Sequence, residues 1–492
     1  MTYPSPTPPG SGPRENHGPY EQPGQQYPQY GPGQPYAPAG QPYPQYAPVQ
    51  PYDRYAPVAQ PLPPQAPPTR PLPQQALPDR AAPPREPDAP VSAAPGAEPG
   101  TGPRKPVRDR YFDLLRALAL FRVVLYHLTG WAWLPIVFPS MGVMFALAGN
   151  LMARSLKRPA AQVIRSRVRR LLPPLWLLGA IGVTGMVLQG WGPDADGHPG
   201  WWWTHLLLWI LPLSDPPFAE ELPGVHGFLG ESWGAELAGP LWYIRAYLWY
   251  VLMSPLILRA LRKMPWPTML APLVLAFVMS QEVLSTPERI DSAITDFSTF
   301  GACWVLGMAH QEGILKRMPS YLVPSLAPVI AALGLWWASH EGFRAGFDLD
   351  SIPLAQALWS FGCVLLLLHY SPSWTEWPKR LQAWDTTITL LNSRAVTVYL
   401  WHNVCILAAA TMYDRLWAVD VIGENVPWLL ESWVPVLIFA WALIAVCILA
   451  FGWTEDVAAK RRPQLWPNGA PKRSRQRGGA PDRSGRKPAR VR

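Results

Sequence analysis

Arg116 and His127 stand eleven positions apart in FDLLRALALFRVVLYHL, the first long apolar stretch of the chain. At about 100° per residue, eleven steps make three turns plus about 20°, so both side chains share one face of a helix. They stand roughly 16 Å apart along its axis. A guanidinium never loses its charge and offers a two-pronged donor to phosphate oxygens. An imidazole changes protonation near neutral pH, so it can take the proton of a hydroxyl whose oxygen is attacking an electrophile. Inside a membrane each such residue costs several kcal/mol, and those that persist usually line a polar path through a bundle. The competing reading is that Arg116 snorkels to one headgroup layer and His127 sits at the other. Asp113, about one turn before Arg116, is its candidate partner. Arg122 points to another face of the same helix.

A second rank of residues carries weaker signals. Arg245 lies inside a later apolar stretch, where it lines a pore or snorkels. His402, in RAVTVYLWHNV, is either a packing histidine or a functional one. His205 and His226 fall in a connecting segment where solvated surface is the simpler account, and His310, His340 and His369 fall at the ends of apolar stretches. Trp201, Trp202 and Trp203 could stack on a sugar ring, although tryptophan is also the usual interfacial anchor. Cys303, Cys363, Cys405 and Cys447 share no metal-binding or redox spacing, which favours small buried apolar residues over a disulfide framework. No metal site is expected.

The elements that must position these residues are long apolar segments, and a bilayer span needs about 20 residues. Ten are expected, near 112–131, 136–155, 171–190, 240–259, 266–284, 293–311, 320–339, 352–370, 388–411 and 431–453. Basic connections (KRPAAQVIRSRVRR, RALRKMP, KRMPS, WPKR and the C-terminal tail) alternate with acidic or Lys/Arg-poor ones. Ten spans, with the short Trp201–Leu213 stretch lying on the outer surface or dipping back, place every basic connection in the cytoplasm. Counting that stretch as an eleventh span breaks the pattern. The first span then runs outwards, with Arg116 in its cytoplasmic half and His127 near its outer end. The fold class is all-α: a polytopic integral membrane bundle of the plasma or inner membrane, with both termini cytoplasmic.

Composition divides the chain into residues 1–106, 107–457 and 458–492. About half of the 62 prolines precede residue 107, many in Pro-Tyr units such as QPYAPAGQPYPQY. That tail has no apolar period and should be disordered with polyproline II character. It reads as a spacer, or as a ligand for a proline-recognising partner. It lacks the apolar core of a secretory signal. The last 38 residues carry twelve Lys/Arg against Glu455, Asp456 and Asp482, which equals the whole formal net charge of +9. The basic balance therefore describes a tail beside acidic lipid rather than a nucleic-acid-binding domain. The tail is too short and too basic to fold as a further catalytic domain.

Several phrases, in this order, resemble the membrane-bound acyltransferase 3 family. Asp113, Arg116 and His127 reproduce that family's first-helix spacing. In MGVMFALAGNL, Gly142, Phe145 and Gly149 fit its second span, while Ala148 replaces a serine. Arg167, Arg170, Pro173 and Trp176 match its Arg-x-x-Arg loop and the Leu-x-Pro that follows. LWYIRAYLWY matches another segment in part, with Tyr247 in place of a glutamate. Tyr399, Trp401 and His402 fit its late Tyr-x-Leu-x-His segment. The resemblance covers roughly 110–460. It implies transfer of an acyl group, often acetyl, from acyl-CoA as donor substrate to a hydroxyl of an extracytoplasmic carbohydrate or glycoconjugate, with no bound cofactor. On that reading His127 is the general base and Arg116 positions the donor. Arg167 and Arg170 meet its nucleotide phosphates, and Asp113, Arg245, Tyr399 and His402 are candidates for the pore or acceptor side. Two other classes keep the same spans: a transporter or flippase of glycans, against which the lack of an internal repeat counts, and a membrane scaffold acting through its tails.

Overall fold

The computed structural model describes residues 109–193, 199–219, 222, 233–282, 287–345 and 348–467. The readings of the Pro-Tyr tail, of His226 and of the far C-terminal tail lie outside these residues. Every regular element among the described residues is helical. The long ones are α1 (Arg110–Thr129), α2 (Ser140–Ser155), α3 (Ala160–Leu188), α4 (Leu241–Lys263), α5 (Pro265–Ser280), α6 (Glu288–Gln311), α7 (Leu322–Ala345) and α8 (Pro353–His369). A short α9 (Asp385–Ser393) leads into α10 (Ala395–Asp414), and α11 (Trp433–Phe451) is followed by a short α12 (Trp453–Ala458).

These helices stand where the apolar segments predict them, with two breaks: the expected second span divides at Phe138–Pro139, and the expected ninth divides at Arg394 into α9 and α10. Arg394 is 1% exposed, and its guanidinium donates to Asp456 at 2.7 Å and to the carbonyl of Gln464. Among the described residues, six helical stretches are long and apolar enough to cross a membrane alone: Leu134–Ser155, Ala160–Leu188, Trp233–Lys263, Leu322–Glu341, Ala395–Ala418 and Trp433–Phe451. Pro265–Ser280 and Pro353–His369 are apolar but shorter. Helix α1 carries Asp113, Arg116 and Arg122, and α6 carries Asp291 and Asp296. Those charges lower their mean hydropathy and must be sheltered by neighbouring helices. The chain is thus a membrane protein by its helices.

Helix α1 is fixed at both ends. Asp109 caps it by accepting the Tyr111 N–H at 3.0 Å, and Gly130 ends it at φ +62°, where a side chain would strain the backbone. It packs against α2, α9, α10 and α11. Helix α6 is wrapped by α2, α4, α5 and α8. Its contact with α2 is backbone-close: a Cβ at Gly307 would lie 1.8 Å from the Ala146 carbonyl oxygen, and one at Gly149 would lie 2.2 Å from that of Trp304. Without a hydrophobic effect between helices in lipid, such small-residue contacts supply the packing. Gly307→Ala must therefore separate the two helices, and we expect a loss of about 1–3 kcal/mol, read as a lower unfolding temperature in detergent. An unchanged temperature would contradict this packing. Helix α11 buries Ala440, Ile444 and Ile448, a stripe four residues apart that rests on α10. Ile438, Val446 and Leu449 are exposed and left for lipid.

The stretch after Pro199 does not form a full-length helix. Its helix covers Pro199–Leu206, too short to span, and gives way to a turn at Leu207–Trp209. Trp176 donates its indole N–H to the Ile210 carbonyl at 2.8 Å, Trp249 donates to that of Leu213 at 3.0 Å, and Trp209 packs over Gly179. The turn therefore lies beside the middle of α3 and α4 rather than beyond their ends. Trp202 is packed against Trp191, whereas Trp201 and Trp203 are exposed.

Candidate functional site

The two residues that share a face of α1 have different surroundings. Arg116 donates to Asn392 Oδ1 at 3.1 Å, and Asn392 in turn donates to the carbonyls of Asp113 and Ile388, both at 2.8 Å. Asn392, on α9, thus ties the guanidinium to the backbone of its own helix. The sequence held no signal for this asparagine, since an amide near a helix end has many uses.

Near the other end of α1, His127 is an exposed residue while its neighbour His402 is 1% exposed. The two rings lie 5.0 Å apart, tilted by 63°. His402 Nδ1 is 2.6 Å from the Tyr399 carbonyl oxygen, which can only accept, so Nδ1 carries the proton and donates. With Nδ1 engaged, a neutral His402 presents Nε2 as an acceptor, and that buried atom has no protein partner. A base facing an accessible imidazole, with its tautomer set by backbone, is a suitable arrangement for holding a proton-transfer group in place.

From this pair a line of aromatic rings runs into the bundle. Tyr399 lies 5.5 Å from His402, Tyr243 lies 4.8 Å from Tyr399, and Tyr247 lies 6.3 Å from Tyr243. Arg116 is an electrostatic neighbour of Tyr243, and Arg170 is one of Tyr247. Tyr399, drawn from a late sequence phrase, is thereby brought to the same track as Arg116 and His127. Tyr247, which stands where a glutamate was expected, faces the basic end of α3. That helix is 29 residues long, roughly 43 Å, which exceeds the hydrocarbon core. Its first turns can thus carry Arg165, Arg167, Arg169 and Arg170 beyond the apolar layer. Arg167 donates to the Leu151 carbonyl at 3.2 Å and to Ser155 Oγ at 3.0 Å, while Arg170 is exposed.

Two charged clusters flank the track. Arg122 donates to Asp350 at 3.3 Å and lies 4.7 Å over the Tyr126 ring, whose hydroxyl donates to Asp348. Gln356 donates to the other oxygen of Asp350 at 2.7 Å. Burial holds the Asp350 carboxyl above its usual range, against the pull of Arg122. Tyr126 also meets His127 edge to face at 5.6 Å, so this cluster abuts the accessible imidazole. Arg245, 2% exposed, is held by Asp215 from the inserted turn and by Asp296 and Ser292 from α6, the last at 2.9 Å. His310 takes part in packing: it bonds Asn150 at 2.8 Å and Ser371 at 3.2 Å. The four cysteines are free, with Cys405 Sγ and Cys447 Sγ 3.6 Å apart. Among the described residues no group of three His, Cys, Asp or Glu could hold a metal ion.

At the basic end of the bundle, α12 packs on α3. Glu455 accepts the Thr397 N–H at 2.8 Å and the Thr397 hydroxyl at 2.5 Å, and its burial pushes its pKa up to about 7. A carboxyl whose folded pKa exceeds its unfolded value favours folding when protonated, and that contribution is lost as pH rises from about 4.5 to 7. Glu455→Gln keeps the acceptor without the charge. It should therefore be more stable than the wild type at pH 8 by up to about 3 kcal/mol, and no more stable at pH 4.5. Thermal unfolding in detergent at the two pH values measures the difference, and a gap that does not change with pH would contradict the assignment.

Residues 109–452 match a family model described as an acyltransferase domain. No curated protein and no solved structure matches the chain.

Proposed function

The chain belongs to the membrane acyltransferase 3 family, and on that premise we propose that it moves an acyl group, acetyl in the simplest case, from acyl-CoA to a hydroxyl of an extracytoplasmic carbohydrate or glycoconjugate. The observation that carries this reading is the line His127–His402–Tyr399–Tyr243–Tyr247–Arg170. It joins an accessible imidazole to an exposed arginine cluster through the interior of the bundle. A donor with phosphates at one end and a thioester at the other, joined by an extended arm, has the shape to lie along such a track.

Ten crossings with both tails in the cytoplasm, in the plasma or inner membrane, put Arg170 on the cytoplasmic side, where acyl-CoA is made. They put His127 near the outer face. In this proposal Arg167 and Arg170 receive the nucleotide phosphates and Arg116, held by Asn392, positions the donor arm. His127 then accepts the proton of the acceptor hydroxyl as its oxygen attacks the thioester carbonyl carbon. The carbon–sulfur bond breaks, and the thiolate leaves to take up a proton. His402 positions His127 by ring packing at 5.0 Å, and the Arg122–Asp350–Tyr126 cluster fixes the wall beside the imidazole.

The test is direct. Membranes containing the protein are given acyl-labelled acyl-CoA, and the extracted glycans and glycoconjugates are followed for label. Label that moves into that fraction, and is absent from membranes of deleted cells, supports acyl transfer. Retention of all label on CoA, with a change in the sidedness of an unmodified glycan, would favour a flippase instead.

A further inference from the structure

Arg170 has three arginines as its charged neighbours. Arg167 and Arg169 come with its own helix, so their presence needs no separate account. Arg461 arrives from far along the chain, after the last long helix, and the fold holds it there with several bonds. Arg169 Nε donates to the Ala458 carbonyl at 3.3 Å, which docks the end of α12 on α3. Asp456 takes Arg394 at 2.7 Å and the Gln464 N–H at 3.0 Å, while Arg394 also reaches the Gln464 carbonyl. Lys460 turns the chain back at φ +56°, a conformation that non-glycine residues rarely adopt unless the surroundings impose it. The Arg461 N–H then donates to the Asp456 carbonyl at 2.7 Å.

The Arg461 side chain itself is exposed and enters none of these bonds. A latch made elsewhere thus brings another guanidinium beside Arg170, against their mutual repulsion. Of the carboxylates in that segment, Glu455 is turned onto Thr397, and Asp456, an electrostatic neighbour of Arg461, is taken up by Arg394. An arrangement of this kind is suited to an anion with more than one phosphate, since each guanidinium can grip two oxygens. Residues 453–467 follow the matched acyltransferase domain, which ends at residue 452. The arm thus lies outside the matched domain.

We propose that α12 and the turn after it complete a phosphate-binding cradle, in which Arg461 joins Arg167, Arg169 and Arg170. Resting on the function proposed above, its occupant is the nucleotide end of acyl-CoA. The phosphodiester headgroup of an acidic phospholipid offers the same chemistry from a second source.

The full-length protein, Arg461→Glu and Arg461→Lys are compared in neutral detergent for binding of CoA, and in nanodiscs of phosphatidylcholine with and without phosphatidylglycerol for retention of the acidic lipid. Lys379→Glu, an equal charge change at an exposed residue of another segment, controls for general electrostatics. A tenfold or greater weakening of CoA binding in Arg461→Glu, a smaller loss in Arg461→Lys and less than a twofold change in Lys379→Glu support the cradle with the donor as its source. Unchanged CoA binding together with loss of phosphatidylglycerol retention supports the cradle with a lipid as its source. If neither changes relative to the Lys379→Glu control, the proposal is overturned. A wild-type protein that binds no CoA at all would instead count against the proposed function, and the lipid arm would still decide the cradle.

Discussion

His127→Ala should lose acyl transfer by about 10²–10⁴-fold while leaving the bundle intact, because a positioned general base contributes on that order. The ring is accessible, so its removal leaves no buried polar group unsatisfied. Folding and catalysis can therefore be separated at this residue. The measurement is the initial rate of label transfer from acyl-CoA in membranes, normalised to the amount of protein that elutes as a single species in detergent. His402→Ala is a different case, since it empties a buried site against Tyr399. His402→Gln, which can place an amide near the position of Nε2, should retain more activity than His402→Asn, which reaches only the position of Nδ1. If His127→Ala kept full transfer, the imidazole would have no part in the chemistry and the track would lead nowhere.

The largest effect on stability is expected at Arg245. Its guanidinium joins the inserted turn, through Asp215, to α6, through Asp296 and Ser292. Arg245→Leu would leave two carboxylates facing each other with no cation, a change that typically costs about 3–5 kcal/mol. Adding Asp215→Asn and Asp296→Asn to that variant removes the stranded charges and should recover much of the loss, because the three sites form one network. Unfolding temperatures of the single and triple variants in detergent decide this. An Arg245→Leu protein as stable as the wild type would show that the network does not hold the turn between α3 and α4.

Much of this architecture was legible in the residues. The apolar segments mark the long helices, and the spacing of Arg116 and His127 puts both on one face of α1. Gly149 lies at the close contact of α2 with α6, where a Cβ would meet the Trp304 carbonyl, while Gly142 faces Ser360 on α8. What was not legible depends on partners distant in the chain. Asn392 becomes the partner of Arg116 only because α9 docks beside α1. Arg122 finds Asp350 in the connection between α7 and α8, and neither residue announces the other. The break at Arg394 was hidden because an apolar run on either side reads as one span. Its reason is the ion pair to Asp456 after the last long helix. Charges in α1 and α6 have the opposite effect: they make two long helices look less apolar than their sheltered positions require.

Transfer by the proposed route is directional: donor held at the arginine end, acyl group delivered at the histidine end. Sealed vesicles of both orientations, prepared from cells that make the protein and its acceptor, test it most directly with labelled acetyl-CoA. Inverted vesicles, which expose the arginine cluster, should pass label to glycan or glycoconjugate protected in the lumen. Right-side-out vesicles should do so only after they are opened. Equal incorporation by sealed right-side-out vesicles, or label that reaches only acceptors on the same side as the donor, would contradict it.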